Sequence, residues 1–251
     1  MTVPGPVAVH VVIPAHDESA LIGQCLASVR IAAARLYDST GVTATVTVVA
    51  DSCTDSTVEV AREHGADVLL LQARSVGRAR DAGVRHVLAA ASPSDGSTVW
   101  IAMTDADSTV SPRWLEAQHR SAVEGIGLWI GSVQPDPTSI SAPALREWRA
   151  RHRHTGQVHV HGANLGFTAA TFMRAGGFPP ISEHEDVVFV EAAREAGCTW
   201  AQGGPTVRTS GRTTGRTPGG FAGYVRKIVI ELEEALLPVP PHPAPQLQDP
   251  Q

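Results

Sequence analysis

Lysine is almost absent from this chain of 251 residues, because Lys227 is its only lysine and arginine supplies the other permanently charged basic side chains. Any chemistry that requires a lysine therefore has a single candidate. Positive charge is also in deficit, with 20 lysines and arginines against 25 aspartates and glutamates. Non-specific binding to nucleic acid needs a concentrated positive surface, so we expect no nucleic-acid partner.

Cysteine and long apolar runs are scarce as well. Cys25, Cys53 and Cys198 are odd in number and widely spaced, which argues against a structural zinc site and fits a reducing compartment. No apolar run reaches the roughly 18 residues that a membrane span requires, and the N-terminus lacks the basic-then-apolar pattern of a signal peptide. We therefore expect a soluble, cytoplasmic protein without a membrane span.

The first half of the chain contains a regular alternation of apolar runs and helical patterns. With 43% hydrophobic residues, the chain is long enough to build one domain with a sizeable core. The patterns predict strands at 7–14, 43–50, 66–71 and 99–104, and helices at 20–36, 55–64, 77–91 and 112–123. Strands buried on both faces and separated by helices predict an α/β fold with a mostly parallel central sheet flanked by helices.

The second half is less regular. The patterns predict a strand at 126–133 and helices at 142–154, 169–175, 185–196 and 220–236. Residues 203–220 are rich in glycine and carry Arg208, Arg212 and Arg216, so they predict a mobile basic loop that either solvates its charges or closes over a ligand. The proline-rich stretch 238–251 predicts a disordered tail.

Acidic residues follow three of the predicted strands. They are Asp17 and Glu18 after the first, Asp51 after the second, and Asp105 and Asp107 after the fourth. Ligands of such sheets bind beyond the carboxyl ends of the strands, where these acids collect. Asp105 and Asp107 share one face and repel each other unless a cation lies between them. Because hard oxygen ligands suit Mg²⁺ or Mn²⁺, we expect a metal that helps to bind a phosphorylated substrate.

Seven segments, taken in order, resemble the inverting, non-processive GT-A glycosyltransferases of family 2. They are residues 11–18, 51–57, 77–83, 104–107, 162–167, 176–178 and 185–186. The resemblance implies a GT-A, Rossmann-like domain over 1–237, with a nucleotide-sugar-binding half at 7–110 and a smaller, irregular acceptor-side and catalytic half at 111–237. It departs from the family in three ways. Asp81 stands where the family usually has asparagine, no Q-x-x-R-W segment is present, and residues 207–215 lack the histidine that some relatives use as a third metal ligand.

The resemblance also implies roles for individual residues on the donor side. Pro14, Ala15, Asp17 and Glu18 form the nucleotide-binding turn, and Asp51 accepts a hydrogen bond from the base, most simply the uracil of a UDP-sugar. Asp107 holds the metal, with Asp105 facing the ribose and the waters of the metal. Arg80, and less directly Arg78, pair with the diphosphate as fork-shaped donors.

On the acceptor side, the resemblance makes Asp186 the general base for the attacking hydroxyl and Glu185 a residue that orients the acceptor. The acceptor itself stays unknown, and a lipid acceptor would require peripheral contact with a membrane. His159 and His161 alternate as if on one strand face and are candidates for the acceptor side or for a metal.

Each of these assignments has a plainer alternative. The acids at 105 and 107 can cap a turn, Asp51 can form an Asx turn, and Arg78 and Arg80 can be solvated helix charges. Glu185 and Asp186 can be first-turn acids that the helix dipole favours.

Two other functions are left open. Residues 105–109 also spell the D-x-D-x-T loop of haloacid-dehalogenase-like, Mg²⁺-dependent phosphatases, for which Lys227 is the only possible lysine. A non-catalytic nucleotide-sugar-binding protein would keep the same fold without turnover. A dehydrogenase is disfavoured because no G-x-G-x-x-G follows the first strand.

Overall fold

The computed structural model describes residues 8–91, 99–152, 159–181, 183–215 and 219–235. The predicted tail at 238–251 and Arg216 lie outside these residues. The strands are β1 (Ala8–Ala15), β2 (Ala44–Asp51), β3 (Asp67–Leu71), β4 (Val99–Met103), β5 (Ser108–Thr109), β6 (Leu128–Ile130), β7 (Val133–Pro135), β8 (Leu165–Thr168), β9 (Trp200–Gln202) and β10 (Val207–Thr209). The helices are α1 (Ile22–Thr40), α2 (Thr57–Glu63), α3 (Val76–Ala90), α4 (Trp114–Val123), α5 (Ala142–His152), α6 (Ala169–Ala175), α7 (Glu185–Glu195) and α8 (Phe221–Ala235).

The central sheet has seven strands in the order β3-β2-β1-β4-β8-β6-β9. Strands β1 to β4 pair in parallel, and of the seven described strands β8 runs against the others. This arrangement confirms the predicted α/β fold with a mostly parallel sheet. Both predicted halves of the chain contribute strands to this sheet: β1 to β4 precede residue 110, and β6, β8 and β9 follow it.

Alternation along the buried strands divides the core into two layers. Val9, Val11 and Ile13 of β1 pack in the cluster that contains the buried residues of α1, whereas Val12 packs in the cluster of α3 and α7. Successive side chains of a strand point to opposite faces, so one apolar run supplies both layers. On the second face, α3 comes so close to the sheet that a Cβ at Gly83 would lie 2.6 Å from side-chain atoms of both Val12 and Val49.

A second, three-stranded sheet has the order β5-β10-β7. Strand β10 pairs antiparallel with β5 and parallel with β7. Strand β5 directly follows the two predicted metal-binding acids, Asp105 and Asp107. The prediction of a mobile loop over 203–220 is therefore wrong for Val207–Thr209, because main-chain pairing on both sides fixes this segment. Because β5 follows β4 of the large sheet, the pairing of Thr209 with Ser108 places the start of residues 210–215 near the carboxyl end of β4.

Strands β5, β8 and β9 are absent from the prediction, and the remaining differences concern the boundaries of elements. The strand predicted at 126–133 is two strands, β6 and β7, and the helix predicted from residue 112 begins at Trp114. Gly131 separates the two strands at a point where a Cβ would collide with the side-chain amide of the fully buried Asn164. No helix in the described part of the chain is both long and apolar enough to cross a membrane.

Candidate active site

A cavity of about 460 Å³ lies at the carboxyl ends of β1 and β4, between these strands and the starts of α7 and α8. The predicted site residues that line it are Pro14, Glu18, Arg80, Asp105, Asp107, Glu185 and Asp186, together with the candidate histidines His159 and His161. The predicted residues that do not line it are Ala15, Asp17, Asp51 and Arg78. The topology of the sheet thus brings together acids from both halves of the chain, as the crevice rule for parallel sheets requires.

Asp107 is in an electrostatically unfavourable position at the wall of the cavity. Its side chain is 13% exposed, accepts a hydrogen bond from Thr209 Oγ at 3.0 Å, and lies 3.1 Å from an Nη atom of Arg212. Burial raises the pKa of Asp107 to about 6, with further increases from the charges of Asp105 and Glu18, and Arg212 opposes this shift. The geometry therefore places a partly uncompensated negative charge at the cavity wall.

Arg212 connects Asp107 to Glu18. Its two Nη atoms donate to the two oxygens of the buried Glu18 carboxylate at 2.7 and 3.1 Å, and one of them also contacts Asp107. The open question about the arginines of residues 203–220 is thereby answered for Arg212, whose guanidinium is bound within the cavity. It stands in the segment where some family relatives carry a metal-binding histidine.

Arg80 is a buried clamp between three elements. Its guanidinium donates to Asp105 at 2.7 Å and to Glu185, so it joins α3 to the end of β4 and to the first turn of α7. Gly162 allows this arrangement, because a Cβ there would collide with the guanidinium. The predicted contact of Arg80 with a diphosphate stays a prediction, since both Nη atoms already bind carboxylates. Its buried Nε has no hydrogen-bond partner among the described residues.

Asp186 occupies the first turn of α7 and faces the cavity. One of its oxygens accepts a hydrogen bond from the backbone N–H of Gly162 at 2.6 Å. This bond holds the carboxylate against a segment that lies 24 residues earlier in the chain. His184 precedes the helix in the left-handed conformation, with φ of 64°, which is uncommon for a residue with a side chain. This backbone turn directs Glu185 towards Arg80 and leaves Asp186 at the cavity surface.

Asp51 is buried beneath the turn that precedes α3. It accepts hydrogen bonds from the backbone N–H groups of Ala73, Arg74 and Ser75 at 2.6 to 2.9 Å, and from Ser52 Oγ at 3.0 Å. These bonds outweigh burial and hold the pKa of Asp51 below its ordinary value. A carboxylate has about four acceptor positions, so a nucleotide base would have to share one of them. Contact with a base stays a prediction.

The other predicted residues outside the cavity have local partners. Asp17 accepts from the backbone N–H of Thr54 at 2.6 Å and of Asp55 at 3.2 Å, and these bonds lower its pKa. Ala15 ends β1 in the core, and Arg78 is exposed on the first turn of α3. Their predicted contacts with a nucleotide stay predictions.

One wall of the cavity was missed by the sequence analysis. It consists of aromatic rings on α5 and α8: Trp148, His152, Phe221 and Tyr224. Trp148 stacks on His152 at 3.9 Å between ring centroids, and Tyr224 meets Trp148 edge-on at 5.1 Å. The i, i+4 and i, i+3 spacings of these rings were a usable signal, but only packing of α5 against α8 makes them one surface.

The donor atoms at Asp107 and Asp105 suit a hard cation. Both carboxylates line the cavity, and the raised pKa of Asp107 indicates that a cation there would relieve an unfavourable charge. Mg²⁺ often uses one or two carboxylates and takes its other ligands from substrate phosphates and water. Within the described residues, the one group of three potential ligands that lies within 4.8 Å is Asp17, Cys53 and Asp55, and both acids there accept backbone hydrogen bonds.

The phosphatase alternative lacks its lysine in this structure. Lys227 lies on α8, its side chain is 69% exposed, its Nζ is 3.9 Å from Glu231, and it does not line the cavity. The acids at 105 and 107 follow β4, at an inner position of the sheet beside β1. These residues therefore do not form the site that the D-x-D-x-T loop requires.

Comparison with known proteins agrees with this geometry. The family model described as Glycosyl transferase family 2 matches residues 10–174. No curated protein matches the chain.

Among solved structures, those of glucosyl-3-phosphoglycerate synthase from Mycobacterium tuberculosis are similar. Its complex with phosphoglyceric acid is 19% identical over 89% of this chain and 79% of that protein, with a TM-score of 0.57. Its complex with Mn²⁺, uridine diphosphate and phosphoglyceric acid is 19% identical over 92% and 80%, with a TM-score of 0.58. Its complex with Mg²⁺ and uridine diphosphate is 21% identical over 89% and 78%, with a TM-score of 0.57. These likenesses confirm the predicted GT-A fold.

Proposed function

The chain belongs to glycosyl transferase family 2, and we propose that it moves a sugar from a nucleoside diphosphate to an acceptor hydroxyl, with inversion at the anomeric carbon. The observation that carries this proposal is that Asp107 and Asp186 face one cavity from the two halves of the chain. A carboxylate that would hold the metal for the leaving diphosphate and a base for the acceptor are thereby available at the same site.

Asp107 and Asp105 are the residues that would hold Mg²⁺ or Mn²⁺. A bound metal ion would supply neutralisation of the negative charge that develops on the leaving diphosphate. The similar enzyme from Mycobacterium tuberculosis was solved with Mn²⁺ or Mg²⁺ and uridine diphosphate, which supports this assignment and favours UDP as the nucleotide. The base identity and the donor sugar are part of the proposal.

Arg212 supplies a second positive charge at the donor side. In this structure it binds Glu18 and Asp107, and a doubly charged cation at Asp107 would repel it. Its guanidinium then has a diphosphate as the nearest new anionic partner, because arginine pairs with phosphate through two parallel hydrogen bonds. We assign Arg212 to the diphosphate, and Arg80 to the support of Asp105 and Glu185.

Asp186 is the proposed general base. Its bond from Gly162 N–H holds one oxygen in place, and the carboxylate lies at the cavity surface where an acceptor hydroxyl can reach it. The acceptor oxygen forms the new bond to the anomeric carbon, the bond to the diphosphate oxygen breaks with its electron pair, and Asp186 takes the hydroxyl proton. Glu185 acts through Arg80, because its carboxylate is buried against that guanidinium.

The test separates donor binding from transfer. We expect Asp107→Asn to abolish metal-dependent binding of UDP, because it removes the charge at the metal position. We expect Asp186→Asn to leave that binding unchanged and to abolish transfer, because it removes only the base. Binding is measured by thermal shift with UDP, GDP and dTDP, each with and without Mn²⁺, and transfer by release of nucleotide diphosphate from the corresponding sugar donors.

Arg208→Gln is the matched control, because Arg208 is an exposed residue of β10. Equal loss of nucleotide binding in the Asp107 and Asp186 variants would contradict the assigned roles. Metal-dependent binding of a nucleotide diphosphate in a protein that consumes no sugar donor would instead favour the non-catalytic alternative.

A further inference from the structure

The aromatic wall of the cavity lies next to the proposed base. His161 meets the ring of Phe221 edge-on at 6.2 Å between centroids, and His161 precedes Gly162, whose N–H holds Asp186. Phe221 in turn contacts Trp148 at 4.9 Å. The surface that begins at Asp186 therefore continues into the rings of α8 and α5, so an acceptor whose hydroxyl meets Asp186 has this wall beside it.

The cavity has little free positive charge to offer an acceptor. Among the described residues, six carboxylates line it, namely Glu18, Asp105, Asp107, Glu183, Glu185 and Asp186, against two arginines, Arg80 and Arg212. Each arginine contacts two of these carboxylates. The other two carboxylates, Glu183 and Asp186, accept hydrogen bonds from the main chain. An acceptor that brings a phosphate or carboxylate would meet a net negative surface.

Two histidines that line the cavity, His152 in the aromatic wall and His161 beside it, are polar without being charged. Burial lowers the pKa of His152 and lowers that of His161 to about 4, so both are neutral near pH 7. A neutral imidazole has one donor and one acceptor nitrogen, which suits hydroxyl groups and gives an anion no charge to pair with. Aromatic faces with a few such polar groups are typical of sites that bind rings with one apolar side.

We propose that the acceptor is an uncharged sugar, whose ring packs against the half-buried rings of His152, Phe221 and Tyr224 in the aromatic wall and whose hydroxyl points to Asp186. Trp148, which is 2% exposed, contacts all three rings and holds them in place. A pyranose suits this surface, because its C–H groups form an apolar face and its hydroxyls lie around the edge. The inference rests on the proposed transferase function and adds the class of acceptor. It also separates this protein from the similar enzyme that was solved with phosphoglyceric acid.

Direct binding tests the proposal without requiring turnover. The full-length protein is saturated with UDP and Mn²⁺, and methyl pyranosides are compared with the 6-phosphates of the same sugars by saturation-transfer nuclear magnetic resonance and by competition. We expect the best neutral sugar to bind at least about tenfold more tightly than its phosphate, a difference of about 1.4 kcal/mol. Tighter binding of the phosphorylated sugars, or binding of neither series, overturns the proposal.

A variant pair locates the binding surface. Phe221→Leu keeps an apolar side chain but removes the ring, so we expect it to weaken binding of the neutral sugar and leave the affinity for UDP and Mn²⁺ unchanged. Lys227→Ala, on the exposed side of the same helix, serves as the control and should change neither affinity. Unchanged sugar binding in the Phe221 variant overturns the proposal. Failure of the proposed function would appear separately, as failure of UDP and Mn²⁺ to bind.

Discussion

Asp107 combines two properties that single residues rarely combine without a functional reason. It is largely buried, and its nearest charges include two other acids, so the folded protein favours its protonated form. A site that only stabilised the fold would avoid such a group, since burial of poorly compensated charge opposes folding. A site that binds a cation needs it. On the role proposed for Asp107, the same charge that lowers stability would provide the affinity for metal.

This conflict predicts a pH-dependent stability difference. The pKa of Asp107 is raised from its ordinary value to about 6 in the folded protein, so the folded state binds the proton more tightly than the unfolded state. The contribution to stability is full below the unfolded pKa and is lost as pH rises through about 6. The raised pKa corresponds to a loss of about 2–3 kcal/mol in the free energy of unfolding at pH 7 in the absence of metal, relative to acid pH.

We therefore expect Asp107→Asn to be more stable than the natural protein at pH 7, with a difference that shrinks towards pH 4. Chemical denaturation across this pH range, in the presence of a chelator, measures the effect. Asp136→Asn is a suitable control, because the pKa of the half-buried Asp136 is lowered by its bond from Thr138 and the sign of its effect is opposite. An Asp107→Asn variant that is less stable at pH 7 would contradict the prediction.

Arg212 gives a second prediction at the scale of one side chain. Its guanidinium occupies the space between Glu18 and Asp107, where it would compete with the proposed metal for the Asp107 carboxylate. Arg212→Gln should therefore bind Mn²⁺ several-fold more tightly in the absence of nucleotide and bind UDP more weakly in its presence. The measurement is titration with Mn²⁺ followed by electron paramagnetic resonance at pH 8, where Asp107 is ionised.

Arg208→Gln should leave both affinities of the protein unchanged, since Arg208 is exposed and does not line the cavity. Weaker binding of Mn²⁺ to the Arg212 variant without nucleotide would show that the guanidinium supports the metal position and does not compete for it.

At the scale of elements, the sequence predicts the strands and helices that are long enough to show an apolar run or a helical period. Strands β1 to β4 are continuous apolar runs, so their positions and parallel arrangement follow from the pattern, and the acids that follow them mark one edge of the sheet. Strand β10 has three residues and no period that a pattern could reveal. The bond between Arg212 and Glu18 joins residues 194 positions apart, so it depends on packing that no local signal contains.

The contact between α3 and the segment 162–164 gives an element-scale prediction. Arg80 of α3 passes directly over Gly162, and the same segment holds Asp186 through the Gly162 N–H. The methyl group of Gly162→Ala would occupy the space of the Arg80 guanidinium, so Arg80 must move away from Asp105 and Glu185. We expect a loss of about 1–3 kcal/mol in the free energy of unfolding and a marked loss of transfer activity.

Gly23→Ala is the matched control for this substitution. A Cβ at Gly23, in α1, would lie 3.3 Å from the end of the His64 side chain, a tight contact that the exposed imidazole ring can relieve by moving a few tenths of an ångström. Alanine is also the better helix former, by about 1 kcal/mol. Thermal or denaturant unfolding together with the transfer assay measures both variants. Equal stability of Gly162→Ala and the natural protein would refute the close packing of Arg80 on this segment.

At the scale of the whole molecule, we expect the excess of carboxylates in the cavity to make the binding of nucleotide and metal cooperative. A nucleotide diphosphate is itself an anion, so we expect it to bind weakly to a cavity lined by six carboxylates unless a cation binds with it. The metal in turn finds only two predicted protein ligands and gains phosphate oxygens from the nucleotide. Each ligand must therefore raise the affinity of the other by the same factor.

We thus expect a large thermal shift with UDP and Mn²⁺ together and small shifts with either one alone. At a ligand concentration about 100 times the dissociation constant, linkage stabilises the folded state by about 2.7 kcal/mol. For a chain of this size, this corresponds to an increase in melting temperature of roughly 5–10 °C. UMP is the control ligand, because it lacks the second phosphate and should gain little from Mn²⁺. Equal shifts with UMP and UDP, or a UDP shift that a chelator leaves intact, would contradict a metal-bridged diphosphate at this site.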